Sequence, residues 1–491
     1  MKPKRLAWPA FLQLLWQTGQ NVILVVIVAF LLLSKLHLSD GMMQLSFIGL
    51  VIFIILLFLL AVVRYWRFKY VVAPDGVTIQ QGIFVRQVTH IPYDKIQTIQ
   101  HKQWFYLRPF HLESLTIETA GKTDKKGEGQ LLAVPQSVGT LIERYRHGEP
   151  VDDGLAETNV VDQPSEALGY QINVRDLNAY AISSLGVVPV ILVLGWLYDK
   201  GHKLLPQRDL SAVEHQLVAL RGTILIGLVV GVLLLGIFAS YLNVIQRYYR
   251  FTLRREEQLL TMTRGYFQRN EVNVHVDRIQ AVRFKQNVLR QWLHLSTVQA
   301  LTAGQAGEDE DDDTLVLLPV VKTAAAYQVL APFIDWLPTE APKLTHVAVK
   351  QRWHFSRNSG LLWLAALALI TGLIQWWIPQ FTMGVLLSWP VGLIIAFAQG
   401  RYASRNAAVA VMTPELLVLQ TGSIFTREQV VVPRVKVQSV EIAQTVWMKK
   451  AHLAHLLVQL RSGNHGKAIE VRYLDAEVVQ RIQTWYLPSE N

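Results

Sequence analysis

The residues best equipped for chemistry in this 491-residue chain mostly lack the neighbours that chemistry needs. His111, His294 and His452 each precede a leucine, which invites a metal or acid–base reading. Each stands alone, whereas a metal site needs further ligands at short spacing. His455 lies just beyond His452, but the other two histidines have no such companion. The run GKT at 121–123 has the ending of a phosphate loop, yet Thr116 stands where that loop requires glycine. The acidic run GEDEDDDT at 307–314 lacks the glycine and spacing of a calcium loop. With 0 cysteines, disulfides, thiolate nucleophiles and cysteine–metal sites are excluded. No GxSxG, HExxH or dinucleotide fingerprint occurs, so the expectation is a protein that is not an enzyme and has no catalytic residues, cofactor or metal.

What does recur is a phrase: IPYDKIQTIQ at 91–100, VHVDRIQAV at 274–282 and VPRVKVQSV at 432–440. Its composition suits a strand, a turn and a second strand, with a bulge disturbing the alternation of apolar residues. It also sets Lys95, Arg278 and Lys436 in register, which would form a shared basic rim for anionic headgroups. The stretch GKTDKKGEG adds Lys122, Lys125 and Lys126 at a hairpin tip able to touch lipid. The acidic run at 307–314 fills the same place in the second copy, where it would turn from an anionic bilayer or dock a basic partner.

The phrase works as a ruler. Aligning Gln97, Gln280 and Gln438 also aligns Gln103, Gln286 and Gln444, and the three histidines. Upstream, a glycine turn falls at Gly82, Gly265 and Gly422, with one inserted residue in the third copy. Each copy ends in an amphipathic pattern, SVGTLIERYRH, TAAAYQVLAPFIDWL or DAEVVQRIQTWYL, as a helix packed on a sheet requires. The chain is therefore an internal triplication.

Between the copies lie apolar runs. Hydrophobic residues make up 51% of the chain and charged residues 17%, with a mean hydropathy of +0.25. That is more apolar than a water-facing surface tolerates. A bilayer core takes roughly 20 apolar helical residues, and six stretches qualify, near 16–36, 45–65, 180–198, 223–243, 359–378 and 383–399. They fall into three hairpins. Arginines and lysines flank them on the module side (Arg64, Arg67, Arg247, Arg250, Arg401, Arg405), which places the N-terminus and all three modules in the cytoplasm. The first span reads as a retained anchor, being too long for a signal peptide. Gln375, Ser183 and Ser184 are the main polar intrusions, read as helix–helix bonding or interfacial placement. The expected division is a lead-in and hairpin at 1–65, a module at 66–150, a linker at 151–175, a hairpin at 176–243, a module at 244–338, a lead-in and hairpin at 339–399 and a module at 400–491. The aromatics and arginines of the lead-ins suit the headgroup interface.

The run IPYDKIQTIQHKQWFYLRPFHLESLTIETAG resembles the bacterial pleckstrin-homology-like domain of YdbS/YdbT-type membrane proteins. The alternation of span pairs with this run is similar to that family over nearly the whole chain. Copy three departs most, with Val435 in place of Asp94 and Asp277. The resemblance implies an α+β membrane protein: six transmembrane helices in three hairpins, each hairpin followed by a strongly bent sheet of seven strands with a C-terminal helix. The residues alone imply only a small sheet and a helix. The expected function is a plasma-membrane scaffold whose partners are membrane lipids and another membrane or cytoplasmic protein, in cell-envelope maintenance or stress defence. Nucleic acid is not an expected partner, since the net charge of +10 gathers beside the spans. The alternative is a six-span transporter or lipid-handling protein, although ionisable residues deep in the spans, which transport usually needs, are missing.

Overall fold

The computed structural model describes residues 3–15, 40–83, 85–119, 129–147, 168–184, 231, 234–302, 314–377, 379, 382–461 and 466–487. Span one, most of span three, part of span four, the lysine tip with Lys122, Lys125 and Lys126, and nearly all of the acidic run lie outside these residues.

Each module folds as two antiparallel meanders joined by one turn. In module one these are β1 (Lys69–Ala73), β2 (Gly76–Gln81) and β3 (Gln87–Ile91), then β4 (Ile96–Trp104), β5 (Leu112–Thr119) and β6 (Gly129–Pro135). Module two has β7 (Leu168–Gln171), β8 (Thr252–Glu256), β9 (Leu259–Arg264) and β10 (Gln268–His275), then β11 (Ile279–Gln286), β12 (Leu295–Thr302) and β13 (Thr314–Lys322). Module three repeats this with β14 (Thr345–His346), β15 (Ala408–Thr413), β16 (Leu416–Ser423) and β17 (Thr426–Pro433), then β18 (Val437–Ala443), β19 (Leu453–Leu460) and β20 (Lys467–Asp475).

The recurring phrase is the joint between meanders. Tyr93–Lys95, Val276–Arg278 and Arg434–Lys436 each form one 3₁₀ turn. The pairing register then slips across Ile96/Thr98, Ile279/Ala281 and Val437/Ser439, so each aligned glutamine occupies a β-bulge. A bulge adds twist and bends the strand away from the preceding meander.

The meanders do not form one bent sheet per module. They are shared: one seven-stranded sheet runs β6-β5-β4-β10-β9-β8-β7 and another runs β13-β12-β11-β17-β16-β15-β14. Each therefore joins the second meander of one module to the first meander of the next. The seventh strand comes from well upstream, since β7 pairs with β8 across residues 172–251 and β14 pairs with β15 across the two long apolar helices described below. In module one a single bridge, Lys4 to Tyr70, takes this place.

The lead-ins thus differ from a purely interfacial reading, because their apolar residues are needed inside the modules. Leu6, Ala10 and Leu14 are buried in the first core, while Ile172, Leu177 and Tyr180 are buried in the second. The linker ends early for the same reason: Leu168–Gln171 is strand, and Val174–Ser183 is a helix capped by Asn173. Among the described residues, Ser183 and Ser184 bond to the module. Their hydroxyls accept from Arg290 Nε at 3.2 Å and an Arg290 terminal nitrogen at 2.6 Å.

Two further repeats have backbone causes. His111, His294 and His452 all adopt left-handed backbone, with φ of 51°, 56° and 53°. Each ends a short helical turn by donating its N–H to Arg108, Gln291 or Lys449. Each carbonyl in turn accepts from Gln136, Thr323 or Ala476, where the C-terminal helical segment begins. Histidine tolerates this conformation better than most residues. Gly82 and Gly265 also take positive φ, 114° and 109°. The C-terminal helices of modules one and three are continuous, Gln136–His147 and Ala476–Tyr486. In module two the helix Ala326–Leu330 gives way to a 3₁₀ turn at Ala331–Phe333, because Pro332 lacks the N–H that a longer helix would use.

Among the described residues, two helices are long and apolar enough to cross a membrane, Val349–Trp377 and Thr382–Asn406. They form a tight hairpin. A Cβ on Gly400 would lie 2.4 Å from Ser356 Cα, so only glycine admits this crossing. Trp363 Nε1 donates to Gln399 Oε1 at 3.1 Å and Trp389 Nε1 to Thr371 Oγ1 at 3.0 Å. Asp40–Arg67 is a third long helix, and it exposes Ile52, Phe58 and Leu59.

The histidine role predicts a substitution pattern. His294→Gly keeps or raises the thermal midpoint, whereas His294→Val lowers stability by roughly 1–2 kcal/mol, the usual penalty for left-handed backbone. Thermal unfolding of the purified protein followed by circular dichroism measures both.

Candidate functional site

The strand directions divide every module into an end that meets the helix before it, called the membrane end after the expected spans, and a far end. β1 leaves the helix ending at Arg67, β2 returns, and the tip at Gly82 meets that helix again: Arg67 Nε donates to Gly82 O at 2.9 Å. The second copy agrees, with Gly265 N donating to Tyr249 O at 3.0 Å and Tyr266 N to Gln246 O at 2.9 Å. In the third, a Cβ on Gly422 would lie 3.2 Å from Ala403 Cα, so this turn too presses on its helix.

The membrane end carries exposed aromatic and aliphatic side chains. Trp8, Phe105, Tyr266, Phe267, Trp292, Ile424 and Trp447 are each about half exposed or more. Phe105 N donates to Phe267 O at 2.7 Å, which stitches module one to module two at this end. Nearby, Lys102, Asn243, Gln246, Arg247, Gln268 and Asn270 line an open polar cavity of about 270 Å³. Arg247 lies in the sequence flank already read as membrane-proximal. Lys102, Gln268 and Asn270 were not legible as site residues, because strands separated by more than 150 residues bring them together.

Lys95, Arg278 and Lys436 lie at the other end. They sit in the 3₁₀ turns, and β4 alone, nine residues long, rises roughly 27 Å between the two ends. Two of them are near neighbours across the second seam, since Lys436 reaches the backbone of the residue beside Arg278. Lys436 Nζ donates to Asp277 O at 2.8 Å, while Arg278 lies close enough to lower the pKa of Arg146, after burial as the larger cause. Lys95 is exposed. The lysine tip lies outside the described residues, but its flanks Thr119 and Gly129 belong to this far end, with Thr119 opposite Ile96.

Between the ends run two seams of different chemistry. At the first, β4 pairs with β10 around a buried charge cluster. His101 Nδ1 lies 3.1 Å from Glu113 Oε1, and its Nε2 lies 3.4 Å from Glu143 Oε1 without hydrogen-bond alignment. Asn273 of module two donates to the same Glu143 oxygen at 2.7 Å. Burial alone would favour neutral imidazole, but the flanking carboxylates outweigh it and raise the His101 pKa to about 10. Gly139 admits the pair, since a Cβ there would lie 2.4 Å from Glu113 Oε1. Burial pushes Glu118 up to about 8, partly offset by Lys102.

At the second seam, β11 pairs with β17 and the cores merge: Leu416, Val418 and Val431 of module three belong to the core of module two. Arg283 lies 3.5 Å from Glu428 and donates to Gln299 at 3.0 Å. Gln286 Oε1 accepts from Arg427 Nε at 2.9 Å and from a second nitrogen of the same guanidinium. Among the described residues, no group of three or more His, Asp or Glu could hold a metal.

The first seam predicts a pH response. A histidine whose folded pKa is raised contributes stability that is complete below its unfolded value, near 6.5, and lost as pH rises through about 10. Charging Glu118 through about pH 8 acts in the same direction. Amide protection at Val272, corrected for intrinsic exchange, falls at least about tenfold between pH 7 and 10 relative to Val430 of the second seam. His101→Gln shrinks that difference.

The family described as Bacterial PH domain matches residues 22–145, 190–333 and 359–490. The UPF0699 transmembrane protein YdbT of Bacillus subtilis (strain 168) is 24% identical over 501 residues, covering 99% of this chain and 98% of that protein. No solved structure matches. A chain matched three times over, with a transmembrane relative of the same extent and two exposed apolar helices, belongs to the bacterial PH domain family and is a YdbT-like membrane protein.

Proposed function

We propose that this chain is a multi-pass plasma-membrane scaffold, in which six spans in three hairpins hold three cytoplasmic PH-like modules as one platform against the bilayer. The observation that carries this reading is the fusion of the modules through shared sheets, with all three glycine tips pressed against ends of long helices. Modules joined by strand pairing cannot reorient separately, so they present one fixed surface. Scaffolding needs that property, and independent binding domains on flexible linkers lack it.

In this platform the membrane end engages lipid. Trp292, Phe267 and Trp447 enter the interface, as aromatic side chains favour. Lys102 and Arg247 beside the polar cavity attract anionic headgroups. The far end, with Lys95, Arg278 and the exposed Val435, faces the cytoplasm and is open to a protein partner. The process served is envelope maintenance or stress defence.

The absence of cysteine makes the orientation testable with single-cysteine variants. A bimane label at Phe267→Cys or Trp447→Cys in proteoliposomes is quenched by spin-labelled lipid, while the same label at Val435→Cys is not. Equal quenching at both ends would sink the membrane-apposed platform. In intact cells, an impermeant maleimide leaves Val435→Cys unlabelled; labelling there would reverse the cytoplasmic assignment.

A further inference from the structure

We propose that two copies of this chain join head to tail, with β18 of one pairing with β3 of the next in the register already used inside the chain. The inference rests on strand edges and is independent of headgroup contact.

The two internal seams are the same interface repeated. At the first, Gln103 lies opposite Arg269 and Gln100 opposite Val272. At the second, Gln286 lies opposite Arg427 and Arg283 opposite Val430. The repeat alignment makes these equivalent positions. The last strand of one module's first meander thus pairs with the first strand of the preceding module's second meander, twice, without slippage.

Among the described residues, both strands of that interface lack a partner on one edge in the first and third modules, although the Arg86 guanidinium already donates to Gln80 Oε1 at 2.6 Å. Among the described residues, β3 pairs with β2 alone and β18 with β19 alone. Arg86 holds the position of Arg269 and Arg427. Gln444 holds that of Gln103 and Gln286, and its side chain is already set: Gln103, Gln286 and Gln444 donate to the carbonyls of Leu112, Leu295 and Leu453 at 3.3, 2.7 and 2.8 Å. In Gln286 this leaves Oε1 to receive Arg427 across the seam. Gln444 offers the same acceptor to an incoming Arg86.

Neither edge carries the commonest guards, proline and lysine, although β18 has Glu441, held by Gln459, and a bulge at Val437/Ser439 of the kind that β4 and β11 carry while still pairing. Exposed edge strands are normally blunted by proline, lysine or inward charge. Gln87–Ile91 and Val437–Ala443 contain no proline or lysine, and they expose Val88 and Ile442. Their equivalents at the second seam, Gln429 and Phe284, face each other in register, with Phe284 buried. A second copy fits better than an unrelated strand, because one chain supplies both complementary edges in matching register. Such a heterologous contact propagates into a ring or an open row.

The cysteine-free chain allows a direct test in native membranes. In the proposed register Val88 faces Ile442, and opposed residues of an antiparallel pair have Cα atoms about 4.5–5.5 Å apart, within disulfide reach. Val88→Cys and Ile442→Cys are made in differently tagged full-length copies, co-expressed and oxidised with copper phenanthroline. The expected result is a mixed-tag dimer, with a ladder of higher species for the double variant. Adding Ile442→Lys to a second cross-linking pair, His90→Cys with Val440→Cys, should reduce the dimer at least severalfold. No mixed dimer, a dimer from Val88→Cys alone, equal cross-linking of Val88→Cys with Ser439→Cys, or only an internally closed monomer from the double variant would each overturn the proposal.

Discussion

A β-strand at the edge of a sheet leaves a row of amide and carbonyl groups open, and that constraint organises this molecule. In each module the 3₁₀ turn and bulge peel the second meander from the first, so the strands on either side of the turn need new partners. The chain supplies them by placing the last strand of the next module's first meander against the first strand of the second meander before it. The boundary between modules in sequence is therefore the middle of a sheet in space. Two chemistries support the same backbone geometry: a buried histidine between carboxylates at the first seam, and a merged apolar core with an arginine–glutamate pair at the second. Buried ionic contacts are poor sources of net stability beside apolar packing. The first seam is therefore the more dependent on its surroundings.

The sequence and the structure agree most where a residue serves its own backbone. The aligned glutamines mark bulges, and the aligned histidines mark left-handed turns. Gly82 and Gly265 serve φ, while Gly422 serves a close approach. Such requirements repeat whenever the local fold repeats, so a triplication displays them. The pairing between modules was not legible, because β4 meets β10 across more than 150 residues of chain and its contacts differ from copy to copy. For the same reason Lys102 and Arg247 could not be brought together by inspection.

The basic residues of the recurring phrase carry a related lesson. Their alignment suggested a shared rim, and each sits in the 3₁₀ turn at the far end of its module. Lys436 reaches back to the Asp277 carbonyl of the preceding module, beside Arg278, so a repeat in sequence becomes a neighbour in space where a seam joins two modules.

The strand placed before the two long apolar helices of module three has a consequence for biogenesis. β14 and β15 bracket Val349–Trp377 and Thr382–Asn406, so the sheet of module three closes only after both helices have left the ribosome. The first half of the staple must wait, unpaired, while the hairpin is delivered. Integration and folding are thereby placed in a fixed order.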